Sequence, residues 1–252
     1  MKKILTPDHL PFLTLTGGLL RFLCRFWTFG AGPNSEALYT PQPVAWTLLW
    51  LVSALTVAGI ALGCRGMVTG TLHEHSYPRS LTSAIGTVAG AVGILSVSLP
   101  LLTAGADRLS LIGGILGTLS GVCLFVVAVL RHQGKQPHFL LHTPACLFLA
   151  VHLFVTCRGW SDLSQLGLFL IPFLALTTLM LASHRKVTFD VDLGDRKNSV
   201  FWSLTSAYLC IVSMADQSRL LFFGCMTVWM LADLPSLRPI PAETDLSAVE
   251  TE

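Results

Sequence analysis

Residues Leu109 to Leu130 read LSLIGGILGTLSGVCLFVVAVL, a stretch without a single charged side chain. At about 1.5 Å per helical residue it reaches across the roughly 30 Å hydrocarbon core of a bilayer. The alternation of apolar and polar residues that a lipid-facing β-strand needs is absent, and hydrophobicity is continuous. Inside lipid each backbone N–H and C=O must find its partner within the segment, which a helix provides. The stretch therefore reads as a transmembrane helix.

Working outward, further apolar blocks repeat the pattern. They run from Pro43 to Gly63, Leu81 to Leu102, His138 to Cys157, Leu163 to Ser183, Ser199 to Ala215 and Arg219 to Leu234. The composition agrees: 52% of residues are hydrophobic, 12% are charged, and the mean hydropathy is +0.67. A soluble domain usually carries about 25% charged residues. The net charge of +2 comes from basic residues scattered along loops, and no basic face for nucleic acid is assembled. The start Met1-Lys2-Lys3-Ile4-Leu5 is interrupted by Pro7, Asp8 and His9 with no small-residue cleavage motif after it, so it is expected to stay in the mature chain.

Leu10 to Phe29 is an eighth candidate that carries two arginines. Thr14, Gly18, Arg21, Arg25 and Thr28 recur every three or four residues, opposite Phe12, Leu19, Leu23, Phe26 and Trp27. That stripe fits an interfacial amphipathic helix, or a span whose arginines face the bundle and snorkel. Orientation arbitrates. With eight spans and a cytoplasmic N-terminus, eleven Lys and Arg lie inside and only Arg108, Arg158 and Arg219 lie outside. A surface-bound first segment spoils this positive-inside asymmetry. The expectation is an all-α transmembrane bundle over residues 1–234 with eight spans, both termini cytoplasmic, and a disordered tail from Pro235 to Glu252. The tryptophans near the span ends, among them Trp50, Trp202 and Trp229, fit an aromatic belt.

Several features bear on chemistry. Gly86, Gly90 and Gly93, and then Gly113, Gly117 and Gly121, recur at helical spacing and are read as grooves for close packing between the third and fourth spans. Gly117-Thr118-Leu119-Ser120-Gly121 falls one residue outside the GxSG spacing of an intramembrane serine protease. His138, His142 and His152 lie at about 0°, 40° and 320° around the fifth span, one narrow face. Imidazoles so placed can hold a metal or haem, or pass protons. The plainer reading, a neutral histidine bonded to a neighbouring helix, carries more weight for His152. His73-Glu74-His75 matches a metal tract only in composition and reads as a solvated loop.

The segment from Phe189 to Asp195 has three carboxylates but no EF-hand order, and is expected to pair with Arg185, Lys186, Arg196 and Lys197 or with lipid headgroups. Asp216 and Arg219 are assigned to a local turn pair, and Asp233 to an inexpensive position at a helix end. Pro100 and Pro172 fall inside spans. The seven cysteines show no CxxC spacing and read as small apolar packing groups. No catalytic residue, metal or cofactor is assigned.

Arg158-Gly159-Trp160-Ser161, Leu179-Met180-Leu181, Phe189-Asp190 through Gly194-Asp195-Arg196-Lys197, and Ala207-Tyr208-Leu209-Cys210 resemble an uncharacterised family of bacterial polytopic membrane proteins. A weaker likeness lies at Arg25-Phe26-Trp27 and the Gly30 to Leu38 turn. The resemblance covers mainly the second half and implies a multi-span helical fold with no known activity. It transfers no site residue, and His184 stands where the family places an aromatic. The expected role is a non-enzymatic binding, regulatory or structural component of the bacterial cytoplasmic membrane, with lipid and other membrane proteins as partners. A small transporter or transport subunit is the alternative.

Overall fold

The computed structural model describes residues 9–29, 43–65, 80–104, 107–160, 166–191, 193–216 and 219–234. Among these there are eight α-helices and no strand: α1 (Leu10–Phe29), α2 (Pro43–Cys64), α3 (Leu81–Ala104), α4 (Arg108–Gln133), α5 (Phe139–Trp160), α6 (Leu166–Asp190), α7 (Arg196–Ser213) and α8 (Leu220–Ala232). A 3₁₀ turn, Met214–Asp216, follows α7. Three stretches, Leu81–Thr103, Arg108–Gln133 and Phe139–Arg158, are long and apolar enough to cross a membrane, and two shorter apolar helical stretches are Trp50–Cys64 and Leu220–Ala232. The expected tail from Pro235 and the His73-Glu74-His75 loop lie outside the described residues.

Local chemistry sets several boundaries. Gly134 at φ 73° ends α4, and its N–H donates to the Arg131 carbonyl at 3.1 Å while Lys135 N–H reaches the Leu130 carbonyl at 2.9 Å. The left-handed conformation required there is one that glycine adopts without a Cβ clash. Asp195 opens α7 by accepting the Lys197 backbone N–H at 3.0 Å. Helices α3, α5 and α6 continue through Pro100, Pro144 and Pro172.

Two boundaries differ from the sequence reading. The expected loop from His184 to Asn198 is much shorter, because α6 continues to Asp190 and α7 begins at Arg196. Phe189 and Asp190 are buried, the former in an apolar cluster with Leu10, Ile60, Cys64, Val200 and Leu204. Burial against other helices sustains a helical turn that the local charges His184, Arg185 and Lys186 had marked as an exit.

Six helices form a closed ring in which each packs on the next, α3 on α4, α4 on α5, and so on to α8, which returns to α3. Helices α1 and α2 pack on one another and both cover α7 from outside the ring. Helix α7 is thus enclosed: every side chain from Ser203 to Ser213 is buried. A shielded helix needs no apolar surface for its environment, which explains why Ser199, Ser203, Thr205, Ser206 and Ser213 are accommodated in it.

The glycine stripes make this packing possible, the α4 stripe with the expected partner α3 and the α3 stripe with a different one. A Cβ on Gly90 would lie 2.7 Å from the Trp229 ring and one on Gly93 2.7 Å from Cys225 Cβ, while Gly86 lies against Ala232. The α3 stripe therefore receives α8, and not α4 as its neighbour in sequence. The α4 stripe receives α3: a Cβ on Gly121 would lie 2.6 Å from Leu95, and one on Gly117 would meet both Ser98 at 2.5 Å and Phe148 of α5 at 2.6 Å. Ser120, the hydroxyl of the near-miss protease motif, donates to its own helix at Leu116 O, 2.6 Å away.

Candidate functional site

Antiparallel connections bring the starts of α3, α5 and α7 to the same end of the bundle as the finishes of α4, α6 and α8. Ionisable side chains from these ends converge. Asp233, 2% exposed after the last turn of α8, accepts from Arg131 Nη1 at 2.8 Å and from Ser83 Oγ at 2.5 Å, and pairs with the Lys186 ammonium. Arg131 Nη1 also reaches Ser83 Oγ at 2.9 Å, and Lys186 Nζ sits 5.2 Å from the centre of the Trp229 ring. Beside this group His142 Nδ1 pairs with Asp190, both fully buried, and Gln136 Nε2 donates to the Asp190 carbonyl at 3.0 Å. Buried charge is tolerated only when paired and hydrogen-bonded. One end of the ring is thus tied across α3, α4, α5, α6 and α8.

Four expectations are corrected here. Asp233 is no incidental helix-end carboxylate, since it accepts from three side chains on three other helices. Lys186 does not pair with the carboxylates of its own connection, because α6 turns it inward to Asp233. Asp190 is held by His142 of α5 and not by the basic residues of its own connection, and Asp195 is the capping residue. Trp229 is fully buried under Gly90 and does not belong to a membrane-interface belt.

Toward the opposite end, Arg219 Nη1 donates to Thr156 Oγ1 at 3.0 Å and to His152 Nε2 at 3.1 Å. A guanidinium only donates, so Nε2 is the accepting nitrogen of a neutral ring. The ring is stacked on Phe148 at 5.5 Å and meets Phe222 edge-on at 5.6 Å. Arg219 thus reaches across to α5; the Asp216 side chain of the expected turn pair lies outside the described residues.

The three histidines are dispersed. His138 precedes α5 and is exposed, whereas His142 and His152 are buried ten residues apart, about 15 Å along a helix. No single ion spans that distance. Among the described residues no group of three or more His, Cys, Asp or Glu is placed to hold a metal.

A third polar cluster lies near mid-length of α1, α2 and α7. Arg21 is 2% exposed and Arg25, one turn further, 3%. Arg21 Nη1 donates to the Tyr208 hydroxyl at 3.5 Å, that hydroxyl is 2.8 Å from Ser53 Oγ, and the guanidinium carbon is 5.3 Å from the centre of the Trp50 ring. The sequence showed the arginine stripe but not its partners, because Tyr208 is 187 residues away in the chain. Ser83, Arg131, Lys186 and Asp190 escaped for the same reason. The available signal was that oppositely charged residues flank apolar blocks at ends brought together by antiparallel packing.

Not every ion pair is of this kind. Arg158 Nη1 lies 2.5 Å from Asp107 Oδ2, with side chains 69% and 41% exposed. Arg158→Ala is expected to change stability by no more than about 1 kcal/mol, since solvent screens the pair. Thermal melting in detergent would check this, and a larger loss would show that the pair organises the α3–α4 connection.

Comparison with family models, with curated proteins and with solved structures gives no match to the chain.

Proposed function

We propose that the chain is an eight-span integral protein of the bacterial cytoplasmic membrane, both termini cytoplasmic, acting as a non-enzymatic binding, regulatory or structural component. The observation that carries the membrane reading is the reversed polarity of α1. Leu10, Thr14, Gly18, Arg21 and Arg25 face inward, while Phe12, Leu15, Leu19, Leu20 and Leu23 face outward. In water a helix of this composition buries its leucines and exposes its arginines. The opposite arrangement suits a surrounding solvent of hydrocarbon, where burying a guanidinium among hydroxyls is the less unfavourable choice.

Outward apolar side chains continue around the bundle, with Leu51 and Leu55 on α2, Ile85 and Leu99 on α3, Ile115 and Leu119 on α4, Phe154 on α5, and Leu221 on α8. A soluble monomer rarely exposes such a contiguous surface. Lipid and other membrane proteins are its fitting neighbours. The end bearing Arg131, Lys186 and Asp233 is assigned to the cytoplasm by the eleven-to-three distribution of basic residues.

The binding or structural reading draws support from His152, which is packed between the Phe148 and Phe222 rings and Arg219. A small transporter is the second reading. It is favoured by the ion pairs at the cytoplasmic end, which would have to part for the ring to open there.

Reporter fusions placed after Lys135 and after Arg158 are expected to report opposite sides of the membrane, cytoplasmic for the first. The same side for both would exclude α5 as a span. Recovery of the protein in the supernatant after detergent-free ultracentrifugation would remove the membrane reading altogether.

A further inference from the structure

We infer that the His142–Asp190 pair is a proton-binding site, one proton entering at His142 Nε2, and that its occupancy loosens the neighbouring junction of Arg131 and Lys186 on Asp233. The inference goes beyond the binding or structural role given above. It holds whichever side of the membrane this end of the ring faces.

The pair fixes where a proton can bind. His142 Nδ1 faces a carboxylate oxygen of Asp190. A neutral imidazole has one N–H, and opposite a carboxylate that hydrogen belongs on Nδ1, so Nε2 keeps its lone pair. Nε2 and the second carboxylate oxygen, Oδ1, are both buried, and no described group hydrogen-bonds to either. His152, on the same helix, shows the contrast: its Nε2 lone pair is taken by Arg219 at 3.1 Å. Of the two buried histidines of α5, His142 is therefore the one that presents a basic nitrogen.

The site is shallow. His142 is the fourth residue of α5 and Asp190 the last of α6, each within about one helical turn of the connections at that end. Gln136, exposed between α4 and α5, donates to the Asp190 carbonyl at 3.0 Å, and Val191 is 40% exposed. A proton needs no channel through the bundle, because fraying of a single terminal turn brings Nε2 to water.

The charged groups that face His142 are Asp190 and Lys186 of α6 and Arg131 of α4, the two helices on which α5 packs in the ring. With Nε2 unprotonated the imidazole is neutral, and the Asp190 carboxylate also attracts Lys186. With Nε2 protonated, imidazolium and carboxylate form an ion pair of their own. The attraction on Lys186 is then largely cancelled, and a third cation stands beside Lys186 and Arg131. Like charges repel strongly where water is scarce. Asp233 ties α3, α4, α6 and α8 through Ser83, Arg131 and Lys186, so a proton on His142 acts on that junction without touching it.

The test uses the full chain in a mild detergent, with histidine labelled by nitrogen-15. The His142 ring signal, identified by its loss in His142→Asn, is followed by NMR from about pH 5 to 9. Asparagine keeps an N–H toward Asp190 but takes up no proton. A one-proton titration of this ring in the folded protein is the expected result. Lys186→Met should move its midpoint up by about one pH unit or more, a tenfold gain in proton affinity, and Asp190→Asn should move it down comparably. Hydrogen exchange in the last turns of α4 and α8, corrected for the intrinsic rate at each pH, should quicken as the wild-type ring is protonated and show no such step in His142→Asn. Should His142→Asn fail to fold, the displaced midpoint in Lys186→Met identifies the signal and carries the test. The proposal is overturned if the ring does not titrate in the folded protein, if Lys186→Met leaves every histidine midpoint unchanged, or if exchange in α4 and α8 ignores the titration.

Discussion

Asp233→Ala is expected to destabilise the protein by about 3–5 kcal/mol, the range for breaking a buried ion pair by removing one partner. Arg131 and Lys186 both converge on this carboxylate, and Ser83 donates to it as well. Without it two cations remain in a water-poor helix junction facing one another, and four helices, α3, α4, α6 and α8, lose their shared attachment. Arg131→Met should be milder, because Lys186 still neutralises Asp233. Replacing the group entirely, with Arg131→Met, Lys186→Met and Asp233→Leu together, should recover much of the loss, since a packed apolar cluster often equals a buried ionic one. Melting of the four proteins in detergent orders them. If Asp233→Ala lost no more than the about 1 kcal/mol typical of a surface pair, the cluster would have to be hydrated and its role in closing the ring would be lost.

The elements of this fold were largely legible as apolar runs, whereas their junctions were not. The run from Leu109 to Leu130 appears within α4 at Arg108–Gln133, and Leu10 to Phe29 matches α1. Run length and the absence of charge are local properties, so a single window contains them. The ionic cluster is non-local: Ser83 and Asp233 are 150 residues apart, and Lys186 and Asp233 are 47. Read alone, each of these residues marks the end of an apolar block. The same blindness shortened α6, because Lys186 is a helix terminator only if water, and not Asp233, receives it.

The α1 stripe shows an intermediate case. Its periodicity was plain, and the side on which Arg21 and Arg25 would face was not. A helical wheel fixes which residues share a face but contains nothing about what covers that face. Here the answer lies with Tyr208, Ser53 and Trp50 on two other helices, and it reverses the rule for a helix in water. Trp229 teaches the same lesson from the apolar side: near a helix end it resembles an interfacial residue until the groove at Gly90 is placed opposite it.

Glycine spacing also conceals unequal sites, which yields a second prediction of large effect. Gly113 and Gly117 belong to one stripe in the sequence, yet a Cβ on Gly113 would rest at 3.5 Å from Val151, an ordinary contact, while one on Gly117 would intrude on Ser98 and Phe148 at once. Gly113→Ala should therefore leave packing intact and stabilise α4 by about 0.5–1 kcal/mol through reduced backbone freedom. Gly117→Ala should cost about 1–3 kcal/mol, because Phe148 is fully buried and has little room to retreat, and Gly117→Leu more. The contrast is informative because propensity alone predicts the same sign for both alanines. Opposite shifts in melting temperature would place the close contact of α3, α4 and α5 at Gly117. Equal shifts would mean that these helices do not approach one another at that level, and the ring would need a wider spacing than the one described.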